Sequence, residues 1–224
     1  MNKIVIGKGL VFILAIGMVS CLPARLLADT QPDPADFDKG TQAANAQNYT
    51  QALQWFKKAA AQGNSSADRC IGVFYDKGEG VTQDYKQAMK WYLKADALTN
   101  ANADVCIGAL YEAGHGVSLD YKAAMKWYQK SANLGDTNGM VCMAVMYDEG
   151  EGVTADDKQA FSWFKKAADL GDSNAERGVG VMYENGMGVP QDNQAALTWY
   201  QKAVADGNTD AQGNLDSLKA KMAK

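Results

Sequence analysis

Five tryptophans, Trp55, Trp91, Trp127, Trp163 and Trp199, stand 36 residues apart, and the text around them repeats with them. The segment YDKGEGVTQDYKQAMKWYLKA from Tyr75 returns, lightly edited, from Tyr111, Tyr147 and Tyr183. A fixed period of this length is the signature of a repeat array in which each unit is one supersecondary element. So short a unit cannot enclose a core of its own, and neighbouring units have to bury each other's apolar faces. A hydrophobic content of 47% fits any soluble protein, so the order of the residues carries the information.

Each unit reads as a helix hairpin. In the first helix Ile71, Gly72 and Tyr75 recur as Ile107, Gly108 and Tyr111, then Met143, Ala144 and Tyr147, then Val179, Gly180 and Tyr183. An apolar residue with Tyr four positions on marks one helical face. The small residue between them lets the partner helix approach. Gly78, Gly114, Gly150 and Gly186 end this helix in a left-handed position. A Gly-x-Gly-Val turn follows, with Val81, Val117, Val153 and Val189 plugging the end of the hairpin. The second helix opens at Asp84, Asp120, Asp156 or Asp192, each an N-cap, and Gln87 and Gln159 are expected to complete capping boxes. Ala88, Trp91, Tyr92 and Ala95 are expected to form its buried stripe. Loss of one such ring, as in Trp127→Ala, should then cost ~3–5 kcal/mol. Gly63, Gly135, Gly171 and Gly207 close the second helices; Thr99 holds the matching place once, and a looser turn is expected there.

The combined pattern, A-x-x-x-[LIMV]-[GA]-x-x-Y-x-x-G-x-G-V-x-x-D-x-x-x-A-x-x-W-[YF]-x-K, resembles the Sel-one-like repeat (SLR) family, a relative of the tetratricopeptide repeat. The resemblance covers four units, 65–100, 101–136, 137–172 and 173–208. It implies an all-α, right-handed superhelical solenoid of helix-turn-helix repeats. Residues 35–64, with Gly40, Tyr49, Ala52, Phe56 and Ala59 but no two-glycine loop, look like a tetratricopeptide hairpin that opens the array. Residues 209–224 read as the C-terminal capping helix a solenoid needs for solubility.

The family resemblance also implies a function: holding another protein, as in envelope-signalling regulators, polysaccharide-export scaffolds and secreted factors that meet host proteins. In tetratricopeptide relatives the first helices line the concave wall. By matching position, the wall-facing residues are Arg69, Val73 and Asp76; Val105, Ala109 and Glu112; Val141, Val145 and Asp148; Arg177, Val181 and Glu184. An apolar stripe beside an acidic one suits a segment of a partner protein; the competing expectation packs the valines against the next repeat and pairs the acids with lysines.

Residues with catalytic or metal-binding potential are few. His115 occupies the variable slot of a Gly-x-Gly turn, without co-ligands. Cys70, Cys106 and Cys142 are 36 residues apart, so stacking separates them by ~8–10 Å, beyond disulfide reach and unsuited to one metal ion. They are expected to be three separate buried thiols. Ser162 and Lys165 have the spacing of a β-lactamase nucleophile pair but lack the companion motifs. A penicillin-binding protein like the Helicobacter cysteine-rich SLR branch is one alternative; that branch has two cysteines per repeat, and here there is one. A peptidoglycan or polysaccharide binder is another, which would line a groove with exposed aromatics. No catalytic residue, cofactor or metal is expected.

The first 28 residues are a different text. Lys3 and Lys8 lead into the apolar run GLVFILAIGMVSCL, followed by Pro23 and the exit RLLAD. This reads as a signal peptide, residues 1–28, cleaved near Ala28, with a linker at 29–34. The apolar run is too short for a permanent membrane span, and the expected location is the periplasm or the exterior. A second reading cleaves before Cys21 and makes it a lipid anchor, although Met18 stands where lipoprotein signals usually have Leu. With Lys3, Lys8 and Arg25 removed, acidic residues outnumber basic ones by about seven, a balance that does not suggest a nucleic-acid partner.

Overall fold

The computed structural model of the protein describes residues 34–223. The expected signal peptide at 1–28, Cys21 and most of the linker at 29–34 lie outside the described residues. Those residues form helices and no strand. The helices are α1 (Pro34–Asn45), α2 (Tyr49–Ala61), α3 (Ser65–Lys77), α4 (Tyr85–Asp96), α5 (Ala101–Ala113), α6 (Tyr121–Asn133), α7 (Thr137–Glu149), α8 (Asp157–Asp169), α9 (Ser173–Asn185), α10 (Asn193–Ala205) and α11 (Thr209–Met222). They pair as hairpins in chain order, leaving α11 at the end, and the chain divides into two compact units between Trp127 and Tyr128.

The helix ends follow from their cap residues. Asp84, Asp156 and Asp192 each accept two backbone N–H bonds from the first turn of the second helix, and Asp120 accepts from Ala123 N at 2.9 Å. The expected capping boxes are replaced by a tertiary bond. The N–H of Asp84 donates to the Tyr75 carbonyl at 2.8 Å and that of Asp156 to the Tyr147 carbonyl at 2.8 Å, leaving Gln87 and Gln159 no cap donor to satisfy. The same bond links Asp120 to Tyr111 and Asp192 to Tyr183, tying each second helix to its own first helix. First helices stop at Gly78, Gly114, Gly150 and Gly186, all left-handed.

The second glycine of the loop does something else. A Cβ on Gly80 would meet the Tyr49 backbone at 2.8 Å, and one on Gly188 would meet the Asp157 carbonyl oxygen at 2.2 Å. These loops, and the one at Gly116 over Tyr85, therefore lie directly on the first turn of the preceding hairpin's second helix, where only glycine fits.

The core ring of each second helix is not the tryptophan. Phe56, Tyr92, Tyr128, Phe164 and Tyr200 are at most 1% exposed, whereas all five tryptophans are half-buried. Ala88, Tyr92 and Ala95, at spacings of four and three, define the centre of the buried stripe, and Trp91 falls at its edge. The Tyr92 ring occupies the space that Gly72 leaves vacant: a Cβ there would lie 2.5 Å from it, and Gly180 stands in the same relation to Tyr200 at 2.6 Å. Trp91 packs instead against the cluster that joins the preceding hairpin (Ala52, Leu53, Phe56) to α3 (Cys70, Ile71, Phe74), and Lys94 covers its face at 4.9 Å. Trp91 and Trp127 thus lie where consecutive hairpins meet, while Tyr92 and Tyr200 hold their own hairpins together.

Thr99 keeps the turn that a looser one was expected to replace. It adopts φ 59°, and its N–H donates to the Asp96 carbonyl at 2.7 Å. A β-branched residue is strained in that region, so Thr99→Gly is expected to raise stability by about 1 kcal/mol. An unchanged urea midpoint would show that the strain is absent.

Candidate protein-binding face

The twelve residues expected on the wall separate into two groups. Val73, Val141, Val145 and Val181 are buried and cannot meet a partner. Val73 packs among Ala88 and Tyr92 of its own hairpin and Ile107 and Leu110 of the next. Val181 packs among Ala196, Tyr200, Leu215 and Leu218. Val73 and Val181 are thus covered both by the hairpin partner and by the first-position helix that follows. In α7 the whole run Gly139–Met146 is buried, leaving no outward apolar stripe.

Arg69, Asp76, Val105, Ala109, Glu112, Asp148, Arg177 and Glu184 stay half-buried and reachable. On α5, Val105, Ala109 and Glu112 follow one another at spacings of four and three, so one side of this helix offers two small apolar groups and an acid together. The counterparts of Ala109 on α3, α7 and α9 are the sealed valines.

Two of the acids beyond the repeat tyrosines, Asp76 and Glu184, meet a tyrosine hydroxyl. Tyr92 Oη donates to Asp76 Oδ2 at 3.1 Å, and Tyr200 Oη donates to Glu184 Oε2 at 2.9 Å. Burial raises the carboxyl of Asp76 above its usual range, opposed by the Tyr92 hydroxyl. Lys221 of α11 also forms an ion pair with Glu184. Phe164 has no hydroxyl, so the third repeat cannot repeat the tyrosine bond to Asp148.

A second acid–base arrangement escaped the sequence reading. Asp68 and Glu176, in the first turns of α3 and α9, are fully buried, and each meets the lysine that follows a repeat tryptophan by three positions. Lys94 Nζ lies 2.7 Å from Asp68 Oδ1 and 3.3 Å from the Ala60 carbonyl at the end of α2. Lys202 Nζ lies 2.7 Å from Glu176 Oε1 and 3.4 Å from the Ala168 carbonyl. Each lysine therefore joins its own hairpin to the helix end of the preceding one. A sequence signal existed, since an acid recurs at 68, 104 and 176 wherever Lys94, Lys130 and Lys202 follow, although Met140 breaks the series.

Burial raises the Asp68 carboxyl, and the bond and charge of Lys94 only partly oppose it. A raised folded-state value means stability that is complete below the unfolded value and is lost as pH rises through the folded one. Asp68→Asn keeps an acceptor for Lys94, which is itself half in water, and removes the buried charge. This variant is expected to be at least as stable as the parent at pH 7, by up to about 1 kcal/mol, with the gain vanishing below about pH 4. Urea titrations at the two pH values check it; a large loss at pH 7 would show that the ionised pair is net stabilising.

The residues with chemical potential are dispersed. His115 is exposed and stacks on Tyr85 at 4.3 Å. Lys165 pairs with Asp169 and reaches over the Trp199 ring at 5.2 Å, so it is engaged away from Ser162. Cys70 and Cys142 are buried, but Cys106 is half-buried rather than buried as expected. Among the described residues no group of His, Cys, Asp and Glu could hold a metal ion, and no helix is long and apolar enough to cross a membrane.

The pattern of the Sel1 repeat family matches residues 42–64, 71–95, 100–136, 140–172 and 173–208. A sequence comparison with curated proteins gives no match. Among solved structures, a Sel1 repeat protein from Oxalobacter formigenes is 32% identical with a TM-score of 0.72, covering 85% of this chain and 78% of that one. The protective antigen c5321 of uropathogenic Escherichia coli, which displays an SLR fold, is 35% identical with a TM-score of 0.70. The similarity to c5321 covers 83% of this chain but only 40% of the antigen. The immunity protein Pa5087 of Pseudomonas aeruginosa, 22% identical over 80% of this chain and 69% of its own, shares the fold at a TM-score of 0.60. Proteins of this repeat type generally act as non-catalytic mediators of protein–protein contact. With its period, its hairpins and its relatives in agreement, the chain belongs to the Sel1 repeat family.

Proposed function

We propose that the protein is a non-catalytic scaffold of the bacterial envelope or exterior that holds a segment of another protein on its first-helix side. The observation that carries this reading is the accessible side of α5. Val105 and Ala109 remain reachable there, beside Glu112, while the valines of neighbouring first helices are sealed. A small apolar patch beside one carboxylate suits a segment bearing a small apolar residue and a basic one. The basic and apolar leader at 1–28 supports export. Mass spectrometry of the mature N-terminus distinguishes cleavage near Ala28 from acylation at Cys21. Ala109→Glu is expected to abolish capture of partners crosslinked in intact cells while leaving helix content and unfolding midpoint unchanged. Undiminished capture by that folded variant would remove α5 from the binding face.

A further inference from the structure

Two second helices carry lysines at every fourth position: Lys86, Lys90 and Lys94 on α4, and Lys122, Lys126 and Lys130 on α6. Lys94 is committed to Asp68. Lys86, Lys90, Lys122 and Lys126 are exposed. Like charges four apart on a helix repel one another, and the fold does not require them. The corresponding pairs are Thr50 and Gln54 on α2, Lys158 and Ser162 on α8, and Gln194 and Thr198 on α10.

The two rows lie on the second helices of consecutive hairpins within one compact unit, and Trp127, next to Lys126, packs against the cluster that holds Ala88 and Tyr92 of α4. Leu93, three positions beyond Lys90, shares that side of α4 and is 42% exposed. Along each helix the lysines are ~6 Å apart, close to the ~7 Å that separates alternate side chains of an extended chain.

We propose that this face, formed by Lys86, Lys90, Lys122 and Lys126 beside Leu93, docks an extended acidic peptide segment of a partner protein. The negative balance of the whole chain favours a narrow ligand over a broad one. A planar anionic surface would also meet the exposed Asp84 and Asp120 at the starts of the same helices, whereas a segment lying along the rows avoids them. This face is separate from the first-helix side, and either can fail without the other.

The test is fluorescence anisotropy of a fluorescein-labelled peptide of alternating Glu and Ala with the full chain, at ~0.05 M and ~0.15 M salt. Binding is expected, weaker at the higher salt. It should fall by about tenfold or more in the variant carrying Lys→Gln at all four positions, with an unchanged circular dichroism spectrum. The pairs Lys86→Gln/Lys90→Gln and Lys122→Gln/Lys126→Gln should each weaken it severalfold, and Lys219→Gln/Lys221→Gln should leave it intact. The proposal is overturned if the peptide does not bind, or if the four-site variant binds it equally well. Tighter lysine-dependent binding of phosphatidylglycerol vesicles or single-stranded DNA than of the peptide would also overturn it.

Discussion

Tyr92→Ala is expected to lower stability by about 3–5 kcal/mol, and Trp91→Ala, one residue away, by about 1–2 kcal/mol. The sequence points the other way, because tryptophan is the larger ring and marks the period. The structure inverts the order through burial. Tyr92 is fully enclosed, fills the space opposite Gly72 and donates its hydroxyl to Asp76. Trp91 is half-buried under Lys94, and truncating it removes contact area at a boundary without opening a sealed cavity. Tyr92→Phe separates the terms: it keeps the ring, loses one hydrogen bond to a half-buried carboxylate and should cost about 1 kcal/mol. Urea midpoints of the three variants give the ranking directly. If Trp91→Ala costs more than Tyr92→Ala, the tryptophan ladder is the core after all.

Gly188→Ala is the second large effect, expected to cost more than about 3 kcal/mol. Two penalties add. The residue sits at φ 68°, where an L side chain costs ~1–2 kcal/mol, and the new Cβ would lie 2.2 Å from the Asp157 carbonyl oxygen, forcing the loop off α8. Gly207 isolates the first penalty, since it has φ 91° and nothing within 4 Å of its position. Gly207→Ala should therefore cost only ~1–2 kcal/mol. Equal losses in the two variants would mean that the loop does not press on α8.

Most of the fold was legible because its determinants are local and repeated. The left-handed glycines, the aspartate caps and the period each follow from one residue type at a fixed place. The rest depends on what lies across from a residue. A stripe at spacings of three and four admits both Trp91 and Tyr92, and only the facing Gly72 decides which ring is enclosed. The capping boxes failed because a tertiary carbonyl from Tyr75 outcompetes a local glutamine for the Asp84 N–H. Four of the twelve wall residues proved sealed for a related reason. Matching by position assumes that a first helix has a free side, but Val73 and Val181 meet the following helix. Asp68 and Lys94 stand 26 residues apart and join only once the hairpin closes, and the Ala60 carbonyl joins them only once hairpins stack.

The central claim is that each hairpin is held by its enclosed second-helix ring and lends stability to the next. Amide hydrogen exchange of Tyr92→Ala, followed by mass spectrometry on the full chain, tests it most directly. The account predicts lost protection in α3 and α4, extending into α5, whose Ile107 and Leu110 share the Tyr92 cluster. Loss confined to α4, with α3 and α5 protected as in the parent, would contradict it.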